Sequence, residues 1–192
     1  MTAITINFNN VVKLNVDQFY QLCRDNPDVK FERNQLGEII IMPPTGGETG
    51  KCNASMIADF VIWNRQTKLA EVFDSSTCFK LPNGSDRSPD VSWIKLERWN
   101  VLKPEQREKF PPIAPDFVLE LMSSSDSLSE TQAKMQEYVN AGVKLGWLID
   151  RKTRRVEIYR QGQPKEILEF PTSLCGEDIL PGFVLDLQII WN

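Results

Sequence analysis

The stretch PDFVLELM, from Pro115 to Met122, decides the fold. It is nearly continuously apolar, the pattern of a strand covered on both faces rather than one alternating between core and water. Inside it stands Glu120. An isolated carboxylate there costs several kcal/mol or takes a proton, so a compensating partner is expected. Toward the N-terminus, a second strand-like run, Val91 to Ile94, begins just after Ser88, Pro89 and Asp90;. A hard divalent cation would relieve both acids. Mg²⁺ takes oxygen ligands, and two carboxylates, a main-chain carbonyl such as that of Leu121, and waters could complete its octahedron. Taken singly, Asp90 reads slightly better as a turn residue and Glu120 as the partner of an arginine. Their combination in this order points further, to a metal centre.

Outward from that pair, the chain reads as a mixed α/β array in which strands outnumber roughly three main helices. Asn15 is placed to cap a helix from Val16 to about Asp25;. Val29 to Phe31 and Glu38 to Met42 form a hairpin around Gln35 to Gly37;. After the breaker-rich PPTGGETG, Pro43 to Gly50, a helix is predicted over Cys52 to Trp63;. Glu71 to Asp74 and Cys78 to Leu81 are strand-like;. Beyond Met122, Ser123 to Ser129 is a polar loop, and a helix from Glu130 to Asn140 stops at a C′ glycine, Gly142;. LGWLID, RRVEIYR and an extended C-terminal tail read as strands;. Pro111, Pro112 and Pro115 break the chain between strands rather than between domains, so residues 1–192 are expected to form one domain;.

Composition excludes several chemistries. The chain has no histidine, which removes Ser-His-Asp and Cys-His triads and every His-ligated metal site;. A net charge of −4 gives no basic stripe, so contact with nucleic acid must be local or mediated by a cation;. Cys23, Cys52, Cys78 and Cys175 lack zinc-knuckle spacing and read as reduced thiols of a cytoplasmic protein;. The opening MTAITINFNN lacks the plan of a signal peptide, and no apolar run approaches the ~18 residues of a membrane span;.

The segments FERNQLGEIIIMPPTGG, FKLPNGSDRSPDVSWI, PDFVLELMSSSDS and KMQEYVNAGVKLGWLID, in that order, resemble the Uma family of small restriction-endonuclease-type proteins, from about Asn15 to about Arg160. The resemblance implies a restriction-endonuclease-like mixed central sheet of four or five strands flanked by helices. It also implies the PD-(D/E)xK arrangement, with Asp90 and Glu120 as ligands of Mg²⁺ or Mn²⁺. The superfamily lysine would fall two places after Glu120, where this chain has Met122. The family's substitute lies on the next helix in a K-x-x-x-Y-x-x-x-G-V pattern, matched by Lys134, Tyr138, Gly142 and Val143. Lys134 and Tyr138 are four apart, so the lysine stem can lie along the ring with its ammonium toward the sheet. Glu32 matches the glutamate of the early strand that often completes the acidic cluster. The histidine that many members carry before the second helix is replaced here by the neighbourhood of Glu48 and Thr49.

The expectation is therefore a Mg²⁺-dependent endonuclease acting on DNA, without membrane association, and a homodimer if both strands are cut. A nuclease-fold module that only binds nucleic acid or protein is the alternative, favoured by Met122 and the acidic charge. A metal-independent carboxylate-pair hydrolase is third. Gly46 to Lys51 lacks phosphate-loop spacing and reads as a mobile loop at a cleft edge;. Arg151 to Arg155 reads equally as a phosphate contact or a solvated turn, and the scattered tryptophans as core;.

Overall fold

A computed structural model describes residues 3–8 and 11–192. Residues 1–2 and 9–10, part of the opening stretch screened for a signal plan, lie outside the described residues. The first half runs β1 (Ile4–Ile6), α1 (Val16–Asp25), β2 (Lys30–Arg33), β3 (Ile39–Met42), α2 (Gly47–Thr67), β4 (Ala70–Asp74), β5 (Phe79–Lys80), β6 (Asp86–Arg87) and β7 (Val91–Lys95). Two short helices follow, α3 (Leu96–Trp99) and α4 (Pro104–Arg107). The second half runs β8 (Phe117–Met122), α5 (Leu128–Asn140), β9 (Leu145–Asp150), β10 (Arg155–Arg160), β11 (Glu166–Glu169), β12 (Ser173–Cys175), β13 (Val184–Asp186) and α6 (Gln188–Trp191).

The central sheet has six strands in the order β11-β10-β9-β8-β7-β4, one or two more than expected from sequence. It is mixed: β8 and β9 are parallel and every other pair is antiparallel. The parallel pair needs a crossover, and α5 supplies it. A second sheet, β1-β3-β2-β6-β5, contains the predicted hairpin as β2 and β3. The C-terminal tail is not simply extended; it forms the β12-β13 pair and ends in α6.

β8 is buried along its whole length, as its composition requires. Its odd-numbered residues Phe117, Leu119 and Leu121 join Cys52, Met56 and Phe60 of α2 in one cluster. Val118 and Met122 join Met135, Tyr138 and Val139 of α5 in the cluster on the opposite face. Successive side chains of a strand point to opposite faces, so Glu120 belongs to the α5 side. Phe60 and Phe117 stack with centroids 5.3 Å apart, fixing α2 on its face; such pairs add about 0.5–1.5 kcal/mol beyond burial. On the other face Gly146 of β9 lets α5 come close, since a Cβ there would lie 2.6 Å from Met135 Cε. Met135 is the neighbour of Lys134, so this close seat sets the depth of the lysine's helix.

Helix boundaries follow capping chemistry. Asn15 caps α1 in a reciprocal box with Gln18;. Helix α2 starts five residues before the apolar period begins, at Gly47, so Gly47 to Gly50 form its first turn rather than a loop. Glu48 in that turn complements the helix dipole;. Helix α5 starts at Leu128, two residues earlier than expected. Among the described residues no helix is long and apolar enough to cross a membrane.

Candidate active site

Strands β7 and β8 pair with Val91 opposite Leu119, Ser92 opposite Val118 and Trp93 opposite Phe117. Extending that register by one residue sets Asp90 across from Glu120. Asp90 Oδ2 accepts the Leu121 backbone N–H at 2.8 Å, and Asn53 of α2 donates Nδ2 to Oδ1 at 3.2 Å. Both donors are neutral, so they orient the carboxylate without cancelling its charge.

Glu120 points to α5. Its Oε1 accepts the Tyr138 hydroxyl at 2.9 Å and lies 2.8 Å from Lys134 Nζ. The ammonium sits 5.8 Å from the Tyr138 ring centroid, the stem-on-ring contact that a four-residue helical spacing allows;. Lys134 is shared: its Nζ is also 2.9 Å from Glu32 Oε1. Glu32 is buried on β2, and its oxygens further accept the Ser88 N–H at 3.0 Å and Arg87 Nη1 at 3.0 Å. With Lys134 also on Oε1, both oxygens of Glu32 are engaged by the protein's own donors.

Arg87, on β6, extends the network. Its Nε donates to Glu137 Oε2 at 2.7 Å, and its Nη2 makes a second, short bond to the same oxygen. Glu137 lies one turn after Lys134 on α5, and its Oε1 accepts the Gln35 N–H and Asn83 Nδ2. The second sheet is thereby tied to α5 through charged groups that are almost wholly buried.

These surroundings move proton affinities apart. Burial raises Glu120, Lys134 pulls it down, and the Asp90 and Glu32 charges push it up again, leaving it at about 7. Burial likewise raises Asp90, against the opposing effect of the Leu121 N–H and the Lys134 charge. Burial would raise Glu32 too, but the Lys134 and Arg87 cations outweigh it and hold it at about 2. Lys134 goes upward despite its burial, because Glu120 and Glu32 face its ammonium. It is a permanent cation.

A cleft of about 740 Å³ opens over this cluster, lined by Asp90, Glu120, Leu121 and Lys134 and, toward its rim, by Lys30 and Arg151. The donor set suits a hard divalent ion. When ionised, the carboxylates of this cluster, Glu32, Asp90, Glu120 and Glu137, outnumber its cations, Lys134 and Arg87, by two charges. Asp90 and Glu120, both lining the cleft, have raised proton affinity, and Leu121 adds a backbone at the same edge. Among the described residues no group of three or more Asp, Glu, Cys or His side chains is arranged to hold a metal, so two carboxylates and main chain are the protein donors on offer.

The structure thus gathers Asp90, Glu120, Lys134 and Glu32 at one place, with Leu121 beside them. Met122 shares the face of Glu120 but is packed into the α5 cluster. Pro43 to Gly46 line the cleft as loop, and Glu48 and Thr49 line it from the first turn of α2. From the basic turn, Arg151 reaches the rim, whereas Lys152 and Thr153 bond back to Asp150. The tryptophans belong to the two main clusters. Sequence reading missed Asn53, Arg87 and Glu137. Arg87 and Glu137 lie in polar or helical-surface patterns that look solvated, and only the packing of the second sheet onto α5 buries them.

A mixed sheet with paired acids at adjoining strands and a lysine reaching in from the crossover helix defines a nuclease-type α/β fold. The profile of the Uma2 family, described as "Putative restriction endonuclease", matches residues 16–188, and the chain belongs to that family. Among solved structures it is similar to "a putative nuclease belonging to DUF820" from Anabaena variabilis. That likeness has a TM-score of 0.78 and 21% identity, and covers 93% of this chain and 97% of the other; at that identity it speaks to fold alone. A search among curated proteins gave no match.

Proposed function

We propose that this chain is a single-domain, divalent-metal-dependent endonuclease that hydrolyses DNA phosphodiesters at the Asp90–Glu120 cleft. The observation that carries the reading is the position of Lys134 Nζ, 2.8 Å from Glu120 Oε1, in place of the absent strand lysine. Asp90, Glu120 and the Leu121 carbonyl are the proposed ligands of Mg²⁺ or Mn²⁺, which when bound would polarise a phosphate oxygen and acidify a bound water.

The remaining roles belong to the chain. Lys134 stays an ammonium, which favours stabilising negative charge developing on the phosphate over deprotonating water;. The Tyr138 hydroxyl and the Leu121 N–H orient the two carboxylates toward the cleft. Glu32 anchors the far side of the lysine. Lys30 and Arg151 at the rim offer point charges to the flanking phosphates;. Cutting both strands would call for two such sites, hence a homodimer.

Incubation of purified protein with supercoiled, linear and single-stranded DNA, in Mg²⁺, Mn²⁺ or EDTA, tests the reading. Metal-dependent cleavage that is lost in Lys134→Ala supports it. Absence of cleavage with every metal and substrate overturns it in favour of a binding module, the reading that Met122 at the strand lysine position favours.

A further inference from the structure

We propose that Arg87 is a positioning residue which keeps the Lys134 ammonium available at the cleft by occupying the other half of Glu32; the inference rests on the nuclease reading of this site. Glu32 is a buried carboxylate with two oxygens to satisfy, and Lys134 lies between it and Glu120 at nearly equal distances, 2.9 and 2.8 Å. What decides where such a shared cation rests is how strongly each carboxylate still needs it. Arg87 Nη1 takes Glu32 Oε2 at 3.0 Å and the Ser88 N–H takes a share of Oε1, so Glu32 does not have to claim the whole ammonium.

The guanidinium is suited to this task where a lysine would not be. Its planar fork binds Glu32 with one edge and Glu137 with another, and Glu137 is on the helix that carries Lys134;. Arg87 therefore fixes both the charge that Glu32 presents to the lysine and the helix from which the lysine projects. Without it, Glu32 becomes the stronger claimant and Lys134 is drawn off Glu120 and away from the cleft. Arg87 touches neither carboxylate of the proposed metal site, so its influence on chemistry runs through Glu32.

A plain Arg87→Ala would strand two buried carboxylates, and loss of fold would hide the effect. The informative variant is Arg87→Met with Glu137→Gln, which removes the buried pair together and leaves an amide oxygen for the Gln35 and Asn83 donors. Replacing a buried pair jointly by less polar groups is often neutral for stability. Arg87→Lys, which keeps the charge without the fork, is the second variant. With both variants folded by circular dichroism, the expected result for the double variant is a kcat for DNA cleavage lowered on the order of 100-fold at little-changed KM, as a misplacement of about an ångström produces. Arg87→Lys should show the same pattern in smaller measure. A crystal structure of the double variant should show Lys134 on Glu32 alone, beyond ion-pair reach of Glu120. Wild-type turnover in the stable double variant, or Lys134 still bridging both carboxylates, overturns the proposal. Should the double variant not fold, the same two measurements on Arg87→Lys decide, with wild-type kcat or an unmoved Lys134 counting against it. Should the wild-type protein cleave nothing, the nuclease reading fails, and the position of Lys134 in the variant alone decides for or against the role of Arg87.

Discussion

Two aspartates in this molecule follow a proline and open strands of the same antiparallel pair, yet they end in opposite environments. Asp90 precedes β7 and Asp116 precedes β8, so antiparallel pairing puts them at opposite ends of the sheet. Asp116 is fully buried, accepts the Lys95 N–H at 3.0 Å, and pairs with Arg98 at 2.9 Å and Lys144 at 3.1 Å. Its charge is cancelled by the protein's own cations. Asp90 has only neutral donors, from Asn53 and Leu121, and a second carboxylate across from it. The dipeptide is the same; the difference is whether fixed cations answer the acid. A carboxylate already answered is scaffolding, and one held in place but left unanswered beside a cleft is equipped to hold a cation.

The contrast breaks first at its structural end. Asp116→Ala should lower unfolding free energy by about 2–4 kcal/mol, because it leaves the Lys95 N–H without its acceptor beside a buried gap and takes the partner from two half-exposed cations, Arg98 and Lys144, while metal affinity stays as in wild type;. Chemical denaturation and Mn²⁺ titration of one preparation check both halves. Of similar size, Lys134→Ala should cost the transition state about 2–4 kcal/mol, measured as kcat on supercoiled plasmid, and should also lower the unfolding free energy, because buried Glu32 loses its ammonium;. Met122→Lys in that background tests whether the strand position can serve again. Since Met122 is buried in the apolar cluster that holds Tyr138 and Met135, a gain of activity there should be partial and accompanied by lower stability;.

A pH titration sharpens the same comparison. The folded-state value of Glu120 is raised from 4.5 to about 7, so its favourable contribution to stability is complete below 4.5 and is lost as pH rises through about 7;. Metal-free protein should therefore lose stability over that interval. Mn²⁺ needs the ionised form, so its affinity should climb over the same interval, by about tenfold per pH unit if one proton is released. Glu32 has the opposite sign: lowered from 4.5 to about 2, it stabilises above 4.5 and loses that effect as pH falls through about 2;. The smallest expected effect is that of Asn53→Ala, which removes one neutral hydrogen bond to Asp90 and should weaken metal binding by about 1 kcal/mol in calorimetry.

Much of this was legible because local patterns coincided with burial. The apolar run around Glu120, the proline before Asp90, the Asn15 cap and the C′ Gly142 each follow from local sequence preferences, and the structure has them where those preferences put them. The placement of Lys134 against Tyr138 follows from helical spacing once α5 is known to face the sheet. What stayed hidden depends on contacts between distant elements. Arg87 and Glu32 meet across 55 positions and Arg87 and Glu137 across 50, and no local period reports such a pairing. The number of strands in the central sheet was underread for a related reason. Its outer strands β4 and β11 have only alternating or mixed burial, so their pattern does not say which sheet they join.

Isothermal titration of Mn²⁺ into wild-type protein, Asp90→Asn and Asp116→Asn at pH 8 tests the central claim most directly. One site per chain in the wild type and in Asp116→Asn, with affinity lowered at least tenfold in Asp90→Asn, is the expected result. Equal affinity in Asp90→Asn and wild type, or loss of binding in Asp116→Asn with its fold intact, would contradict the assignment of the cation to the unanswered end of the strand pair.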